Sequence, residues 1–233
     1  MPEKSRIIAL LPMKANSERV RGKNFRDFCG KPLFRWILDT LLQVEEIDRV
    51  VINTDARHIL AENGLVDAER VMIRDRKPEI CGDMVSMNLV LADDVANVLA
   101  DMYLMTHTTN PLLGAETIRK SLRAFQDARA NGTADSLFTV DKIQTRFYRV
   151  DGTAVNHDPN NLIRTQDLEP WYEENSNLYI FTPDSFASTQ ARIGTQPMMF
   201  EGPRLESIDI DDQDDWDFAT IAVRYLMEQG RIQ

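Results

Sequence analysis

The sequence contains few cysteines, no long apolar run and no excess of basic residues. Its only two cysteines, Cys29 and Cys81, fit neither a disulfide framework nor the spacing of metal ligands. The longest apolar runs, such as residues 7–12, are far shorter than the ~20 residues of a membrane helix, and the N-terminus lacks the apolar region of a signal peptide. These absences predict a cytoplasmic protein with no membrane partner.

Acidic residues outnumber basic ones, at 37 against 27, so the net charge is −10. A polyanion repels such a chain on average, which argues against a nucleic-acid partner. The charge is nevertheless polarised. Residues 1–36 hold nine basic and three acidic side chains, whereas residues 201–217 hold one basic and eight acidic side chains. Two such segments can flank a metal-bound polyphosphate, and the alternative is that both are solvated surface.

Strand-like apolar runs alternate with helical periodicities along the first 140 residues. This alternation predicts one α/β domain over residues 1–233, with a doubly wound, mostly parallel sheet and ligands at the carboxyl ends of the strands. The predicted strands cover residues 6–13, 49–53, 69–73, 101–105 and 136–140, and the predicted helices cover residues 33–41, 57–63, 86–99 and 115–129.

The alternation of predicted strands and helices stops at residues 141–203, which we interpret as an irregular excursion from the sheet. Its predicted parts are a hairpin about Asp151 and Gly152, a strand at residues 178–181 and a short helix after Pro183. Strand character resumes at residues 206–210, and the apolar side chains between Trp216 and Leu226 predict a closing helix.

A basic loop follows the first strand. Lys14, Ser17, Arg19, Arg21 and Lys23 would place cations and a hydroxyl at the carboxyl end of a central strand. The loop contains neither GxxxxGK[ST] nor GxGxxG, which argues against a P-loop or a dinucleotide fingerprint. Charge-assisted hydrogen bonds to phosphate are strong, so the loop predicts a triphosphate site. The alternative is a solubilising basic loop.

Two aspartates alternate with isoleucines near the C-terminus. In an extended segment Asp209 and Asp211 would share one face while Ile208 and Ile210 pack inward. Adjacent carboxylates repel unless a cation lies between them, and their oxygens favour Mg²⁺ or Mn²⁺. The alternative, that an aspartate caps the following helix, fits Asp212 better than Asp209.

Polar residues also follow the ends of three predicted strands. Residues 53–55 follow the second strand, and His107 follows the fourth, where it could contact a substrate or be a structural histidine. Arg76 follows the third strand, where a guanidinium could read a base or sugar edge.

Together these segments resemble, in the same order along the whole chain, the acylneuraminate cytidylyltransferase family (CMP-sialic acid synthetases). The resemblance implies a nucleotidyltransferase fold of the GT-A-like Rossmann type. It also implies transfer of CMP from CTP to the anomeric hydroxyl of a 2-keto acid sugar, with release of pyrophosphate. The segments that carry it are residues 11–24, 53–55, 76–83, 109–111, 164–167, 174–180 and 207–211.

The resemblance also implies roles for individual residues, and a homodimer formed through residues 141–203. Lys14, Lys23 and Asp211 would be catalytic. The implied nucleotide ligands are Lys14, Ser17, Arg19, Lys23, Asn24 and Arg76, the implied sugar ligands are His107, Arg164 and Asn175, and the implied Mg²⁺ ligands are Asp209 and Asp211.

Three positions depart from the family pattern. Lys14 replaces an arginine, His107 replaces a glutamine, and Leu113 replaces a basic residue. A lysine keeps the charge but loses bidentate phosphate geometry. Two alternatives therefore stay open: a nucleotidylyltransferase or glycosyltransferase acting on another sugar, and a catalytically silent nucleotide-binding homologue.

Overall fold

The protein is described by a computed structural model over residues 5–232. A seven-stranded sheet has the order β5-β4-β1-β6-β8-β7-β9, and β2 and β3 form a separate two-stranded hairpin. The strands are β1 (Ile7–Leu10), β2 (Asp27–Phe28), β3 (Lys31–Pro32), β4 (Arg49–Thr54), β5 (Val71–Asp75), β6 (Met102–Met105), β7 (Ser136–Ile143), β8 (Trp171–Phe181) and β9 (Pro197–Glu201).

In the seven-stranded sheet, β8 alone runs against the other strands, because it pairs antiparallel with both β6 and β7 while the remaining pairs are parallel. The predicted α/β fold with a mostly parallel sheet is therefore confirmed. The helices are α1 (Leu33–Gln43), α2 (Arg57–Glu62), α3 (Met87–Asn97), α4 (Ala115–Ala130), α5 (Pro183–Thr189) and α6 (Gln213–Glu228).

Strand β1 is apolar along its length because both of its faces are buried. Ile8 and Leu10 point into one core cluster, with Tyr103 and Phe181, whereas Ala9 points into the cluster on the opposite face. This is the environment expected for a central strand of a parallel sheet covered by helices on both sides.

A third core cluster joins the two ends of the chain. Phe28 of the β2–β3 hairpin and Trp36 of α1 pack against Trp216 and Val223 of α6, and the rings of Phe28 and Trp216 lie 5.1 Å apart. Asp212 caps α6 by accepting a hydrogen bond from the Asp215 N–H. This packing holds the acidic C-terminal segment beside the basic loop.

Two sequence predictions need correction. Residues 141–203 are not an excursion throughout, because β7 extends to Ile143 and both β8 and β9 belong to the sheet. The irregular part is residues 144–170, whose predicted hairpin is present as a bridge between Tyr148 and Ala154 with Gly152 at φ 83°.

The predicted strand at residues 206–210 is also wrong. Arg204–Ser207 is a 3₁₀ helix, and the carboxylate of Glu206 accepts a hydrogen bond of 2.9 Å from the N–H of Gly114 at the start of α4. This contact turns the chain toward α4 before it can enter the sheet. Ile208 is extended, but the segment is tied to the loop after β6 rather than to a strand.

The two cysteines are free, as predicted. Within residues 5–232, the helices are all too short or too polar to span a membrane.

Candidate active site

A polar cleft of about 380 Å³ opens where β1, β5 and β6 end. Its walls come from the loops that follow these strands and from the acidic segment before α6, so it lies where doubly wound sheets bind ligands. The predicted site residues that line it are Lys14, Ser17, Arg19, Lys23, Asn24, Arg76, His107 and Asp211.

The basic loop and the acidic segment meet across this cleft. Asp211 Oδ1 lies 3.1 Å from Arg19 Nη2 and 3.8 Å from Lys23 Nζ. Lys23 Nζ also donates a hydrogen bond of 2.5 Å to the Ile210 carbonyl. The N–H of Ile210 donates in turn to the Thr109 carbonyl in the loop after β6. The predicted proximity of the two charged segments is therefore confirmed.

The acidic segment has the donor set of a divalent-cation site. Asp209 is partly buried, and its Oδ1 is fully buried with no hydrogen-bond partner. Burial raises the pKa of Asp209, and the negative charge of the neighbouring Asp211 carboxylate raises it further. A hydrogen bond from Thr109 opposes this increase. An unpartnered buried carboxylate oxygen beside a second carboxylate fits a hard cation.

The protein's contribution to such a site is limited to these two carboxylates. No group of three or more His, Cys, Asp or Glu side chains within residues 5–232 is arranged to hold a metal ion. Mg²⁺ commonly binds through one or two carboxylates and completes its shell with water and substrate phosphate. The two aspartates therefore suit a cation that arrives with a nucleotide.

Asn24 fixes the basic loop. Its amide nitrogen donates to the Lys14 carbonyl at 2.8 Å, and its amide oxygen accepts from the Thr108 hydroxyl at 2.7 Å. Gly22 allows the chain to turn into the 3₁₀ helix Lys23–Phe25, because its φ of 63° is unfavourable for other residues. The Lys14 ammonium pairs with Asp83 on the opposite wall of the cleft.

Arg76 is held rigidly by neutral oxygens. Its Nε donates to Asn53 Oδ1 at 3.0 Å, and its Nη2 donates to the carbonyls of Asn53 at 2.8 Å and Met13 at 3.2 Å. Asn53 is positioned in turn by Asp94, which accepts a hydrogen bond of 2.8 Å from Asn53 Nδ2. Among the described residues no carboxylate pairs directly with Arg76, so its charge is available to a ligand.

His107 lines the cleft, and Arg192 contacts it from outside this lining. Burial and the charges of Arg192 and Lys23 together lower the pKa of His107 to about 4, against the opposing charge of Asp211, so the imidazole is neutral at pH 7. Arg192 Nη1 lies 3.4 Å from His107 Nε2. Arg192 was not predicted, because a single arginine in a loop far along the chain forms no pattern with the other site residues.

The remaining predicted sugar ligands do not line the cleft. Arg164 lies in the irregular segment, is 72% exposed and forms a two-point ion pair with Asp167. The Asn175 amide bridges two elements, since it accepts from the Thr139 hydroxyl at 2.7 Å and donates to the Ser207 hydroxyl at 3.0 Å. Their predicted contacts with sugar stay predictions.

Solved structures of other proteins share this fold. The solved structure of CMP:2-keto-3-deoxy-manno-octonic acid synthetase complexed with CTP is similar, with a TM-score of 0.64 at 16% identity, over 97% of this chain and 100% of that one. A 4-diphosphocytidyl-2C-methyl-D-erythritol synthase from Anaerococcus prevotii has a TM-score of 0.62 at 14% identity, over 95% and 97% of the two chains.

The sequence then defines the family. The model of the family described as Cytidylyltransferase matches residues 8–211, and this chain belongs to that family. Pseudaminic acid cytidylyltransferase of Campylobacter jejuni is 24% identical over 96% of this chain and 98% of its own length. CMP-N,N'-diacetyllegionaminic acid synthase of Legionella pneumophila is 26% identical over 91% of this chain and 93% of its own.

Proposed function

We propose that the protein transfers CMP from CTP to the anomeric hydroxyl of a nine-carbon or eight-carbon 2-keto acid sugar and releases pyrophosphate. The observation that carries this proposal is the single cleft in which Arg19 and Lys23 face Asp211, in a chain of the cytidylyltransferase family. The names of the relatives support the class of acceptor, because they act on acidic sugars of this kind.

The chemistry requires charge stabilisation on both sides of the α-phosphorus. The sugar hydroxyl oxygen forms a bond to this phosphorus and loses its proton to water, while the bond to the oxygen that bridges to the β-phosphorus breaks and pyrophosphate leaves. Negative charge then grows on the phosphoryl oxygens and on the leaving group. We assign Lys14, Ser17, Arg19 and Lys23 to these phosphates.

The resemblance to the acylneuraminate cytidylyltransferases supports the other roles. Asn24 and Arg76 would contact the nucleoside, and His107 would contact the sugar. Asp209 and Asp211 would hold Mg²⁺ or Mn²⁺. When bound, that ion would withdraw charge from the phosphates.

Pyrophosphate release tests the proposal. The protein is incubated with CTP, Mg²⁺ and, in turn, pseudaminic, N,N'-diacetyllegionaminic, N-acylneuraminic and 3-deoxy-manno-octulosonic acids. We expect release with at least one of these sugars, abolished by omitting Mg²⁺. Thermal shift with CTP, UTP, ATP and GTP is the companion measurement, and we expect CTP to stabilise most. Preference for UTP would favour a different nucleotidylyltransferase, and stabilisation by CTP without turnover would favour a catalytically silent homologue.

We also propose that a second copy of this chain covers the irregular segment. Residues 144–170 and the adjoining start of β8 expose several large apolar side chains, which supports an interface: Tyr148, Val150, Leu162, Ile163 and Trp171. In size-exclusion chromatography with light scattering we expect twice the mass of one chain. The double substitution Val150→Asp and Leu162→Asp should reduce it to one. A wild-type protein of single-chain mass would contradict this assignment.

A further inference from the structure

Arg192 lies at the sugar end of the site, behind His107. It belongs to the loop between α5 and β9, and its side chain is 20% exposed. Its guanidinium carbon lies 3.8 Å from the centroid of the Tyr179 ring, and its N–H is 3.4 Å from the side-chain oxygen of Asn88. Stacking on the Tyr179 ring and the hydrogen bond from the Arg192 backbone to Asn88 therefore direct the side chain toward β6 and β8.

The path of this loop is fixed by close packing. Gly194 donates its N–H to the Ser136 hydroxyl at 2.8 Å, and a Cβ on Gly194 would lie 2.3 Å from Asp135 Oδ1. At such a separation any other residue would have to displace the Asp135 carboxylate, which accepts hydrogen bonds from the N–H and hydroxyl of Thr195. The position of Arg192 is thus set by the fold and not by a mobile loop tip.

The guanidinium has unused hydrogen-bonding capacity. Nη1 approaches His107 Nε2 and the Met105 sulfur, and Nη2 forms an ion pair of 3.4 Å with Glu174 Oε1, which also accepts from the Tyr179 hydroxyl. Among the described residues none accepts a hydrogen bond from Arg192 Nε. Because arginine carries only donors, the neutral His107 is the acceptor at Nε2 and holds its proton at Nδ1. The Nε edge of Arg192 can still bind a carboxylate.

The chemistry of the acceptor determines where such a cation must lie. In a 2-keto acid sugar the anomeric carbon carries both the reacting hydroxyl and the carboxylate, so a group that binds the carboxylate must lie near the phosphate end of the cleft. His107 lines the cleft together with Lys23 and Asp211, and Arg192 Nη1 lies 3.4 Å from His107 Nε2. Arg192 is therefore in contact with a side chain of the cleft wall.

We propose that Arg192 binds the carboxylate of the acidic sugar and thereby selects acidic over neutral acceptors. This assignment rests on the proposed function. Lys14, Arg19 and Lys23 lie on the loop after β1, where Arg19 and Lys23 face Asp211 and Lys14 faces Asp83, whereas Arg192 approaches from the loop between α5 and β9. The two groups of cations then recognise two different anions, the triphosphate and the sugar carboxylate.

The test compares Arg192→Met and Arg192→Lys with Arg123→Met, a control at an exposed arginine of α4. Each protein is assayed for pyrophosphate release with CTP and the best acidic sugar, and with the methyl ester of that sugar. We expect Arg192→Met to raise the KM for the acid about 10- to 100-fold, the value of a charge-assisted hydrogen bond. The KM for CTP should change less than about twofold, and the preference for acid over ester should disappear.

Arg192→Lys should retain part of the preference for acid over ester, because lysine keeps the positive charge but lacks the two-point hydrogen-bonding geometry of the guanidinium. It also covers the case in which Arg192→Met does not fold. Two results would overturn the assignment of Arg192 and leave the proposed function standing. One is a preference for acid over ester that is unchanged in both variants, and the other is a KM for CTP that rises as much as the KM for the sugar. Absence of pyrophosphate release by the wild-type protein with every acidic sugar would instead overturn the proposed function, and the assignment with it.

Discussion

The two halves of the sheet contribute to the cleft in different ways. In the parallel half (β5, β4, β1 and β6), the polar side chains at the strand ends are fixed by hydrogen bonds within the protein, as Asn24 and Arg76 illustrate. In the mixed half (β8, β7 and β9), the neighbouring segment of residues 144–170 is largely exposed, and Arg164 pairs with Asp167 of the same segment.

With the proposed function, this difference would separate the recognition of the two substrates. A rigid array of donors in the parallel half requires little reorganisation when a nucleotide binds, which favours electrostatic stabilisation of the reacting phosphates. The mixed half supplies a few side chains and an open surface. We therefore expect substitutions in the parallel half to alter turnover and nucleotide binding, and substitutions in the mixed half to alter acceptor choice.

The strongest test of this division is Asp211→Ala. It removes one of two carboxylates proposed to hold the metal and leaves Arg19 and Lys23 without their partner, so turnover should fall by about 10³-fold. Asp211 is about half exposed, so the thermal midpoint should change little. Asp214→Ala, at an exposed aspartate in the first turn of α6, is the control and should leave turnover unchanged. Near-normal turnover of Asp211→Ala would remove the acidic segment from the site.

A second test examines the buried charges that position Arg76. Burial raises the pKa of Asp94 to about 6, against its contacts with Asn53 and Arg74. The native state then binds this proton more tightly than the unfolded state, so the contribution of Asp94 to stability is largest below about pH 4 and is lost as the pH rises through 6. Denaturant unfolding measures the free energy of unfolding of wild type and of Asp94→Asn. The value for wild type minus the value for the variant should fall by about 2–3 kcal/mol between pH 4 and pH 7.

Asp93→Asn is the matched control for that experiment. Burial would raise the pKa of Asp93, but hydrogen bonds from Lys77 and Arg74 outweigh it and the pKa is lowered. The contribution of Asp93 to stability is therefore lost only as the pH falls below the ordinary range of aspartate pKa values. The difference in the free energy of unfolding between wild type and Asp93→Asn should then stay constant between pH 4 and pH 7. Equal pH slopes for the two variants would contradict this account of Asp94.

The smallest expected effect concerns the ion pair that spans the cleft. Lys14 pairs with Asp83, and both side chains are partly exposed, so the pair is weak. CTP must displace Asp83 to reach Lys14, and Asp83→Asn should therefore lower the KM for CTP about two- to fivefold. Glu62→Gln, an exposed change at the end of α2, should leave this KM unchanged. A higher KM in Asp83→Asn would show that Asp83 assists nucleotide binding.

The same division of the sheet governs what the sequence could predict. Continuous apolar runs such as β1 and the helical pattern of α1 identify the parallel half, because both signals arise from local burial. Strands β8 and β9 pair with partners far along the chain, and their partly exposed residues weaken the pattern. Residues 206–210 have strand-like alternation, but the contact between Glu206 and Gly114 decides their path, and no local signal reveals it.

For the site, the clustered charges of the basic loop and the acidic segment were predictable because they are dense along the sequence. Asn53 and Arg192 were not predictable as positioning and binding groups. Their roles depend on contacts with Asp94 and with Tyr179, which are created only by the tertiary fold.

The tight fit of Gly194 against Asp135 has a consequence for retargeting the enzyme. Because the backbone of this loop is anchored by hydrogen bonds from Gly194 to Ser136 and from Thr195 to Asp135, a new side chain at position 192 should inherit the same location and approach. A small library at that single position, with Gly194 retained, would sample different charges and lengths on one unchanged scaffold. Acceptor preference could then be redesigned without rebuilding the nucleotide pocket.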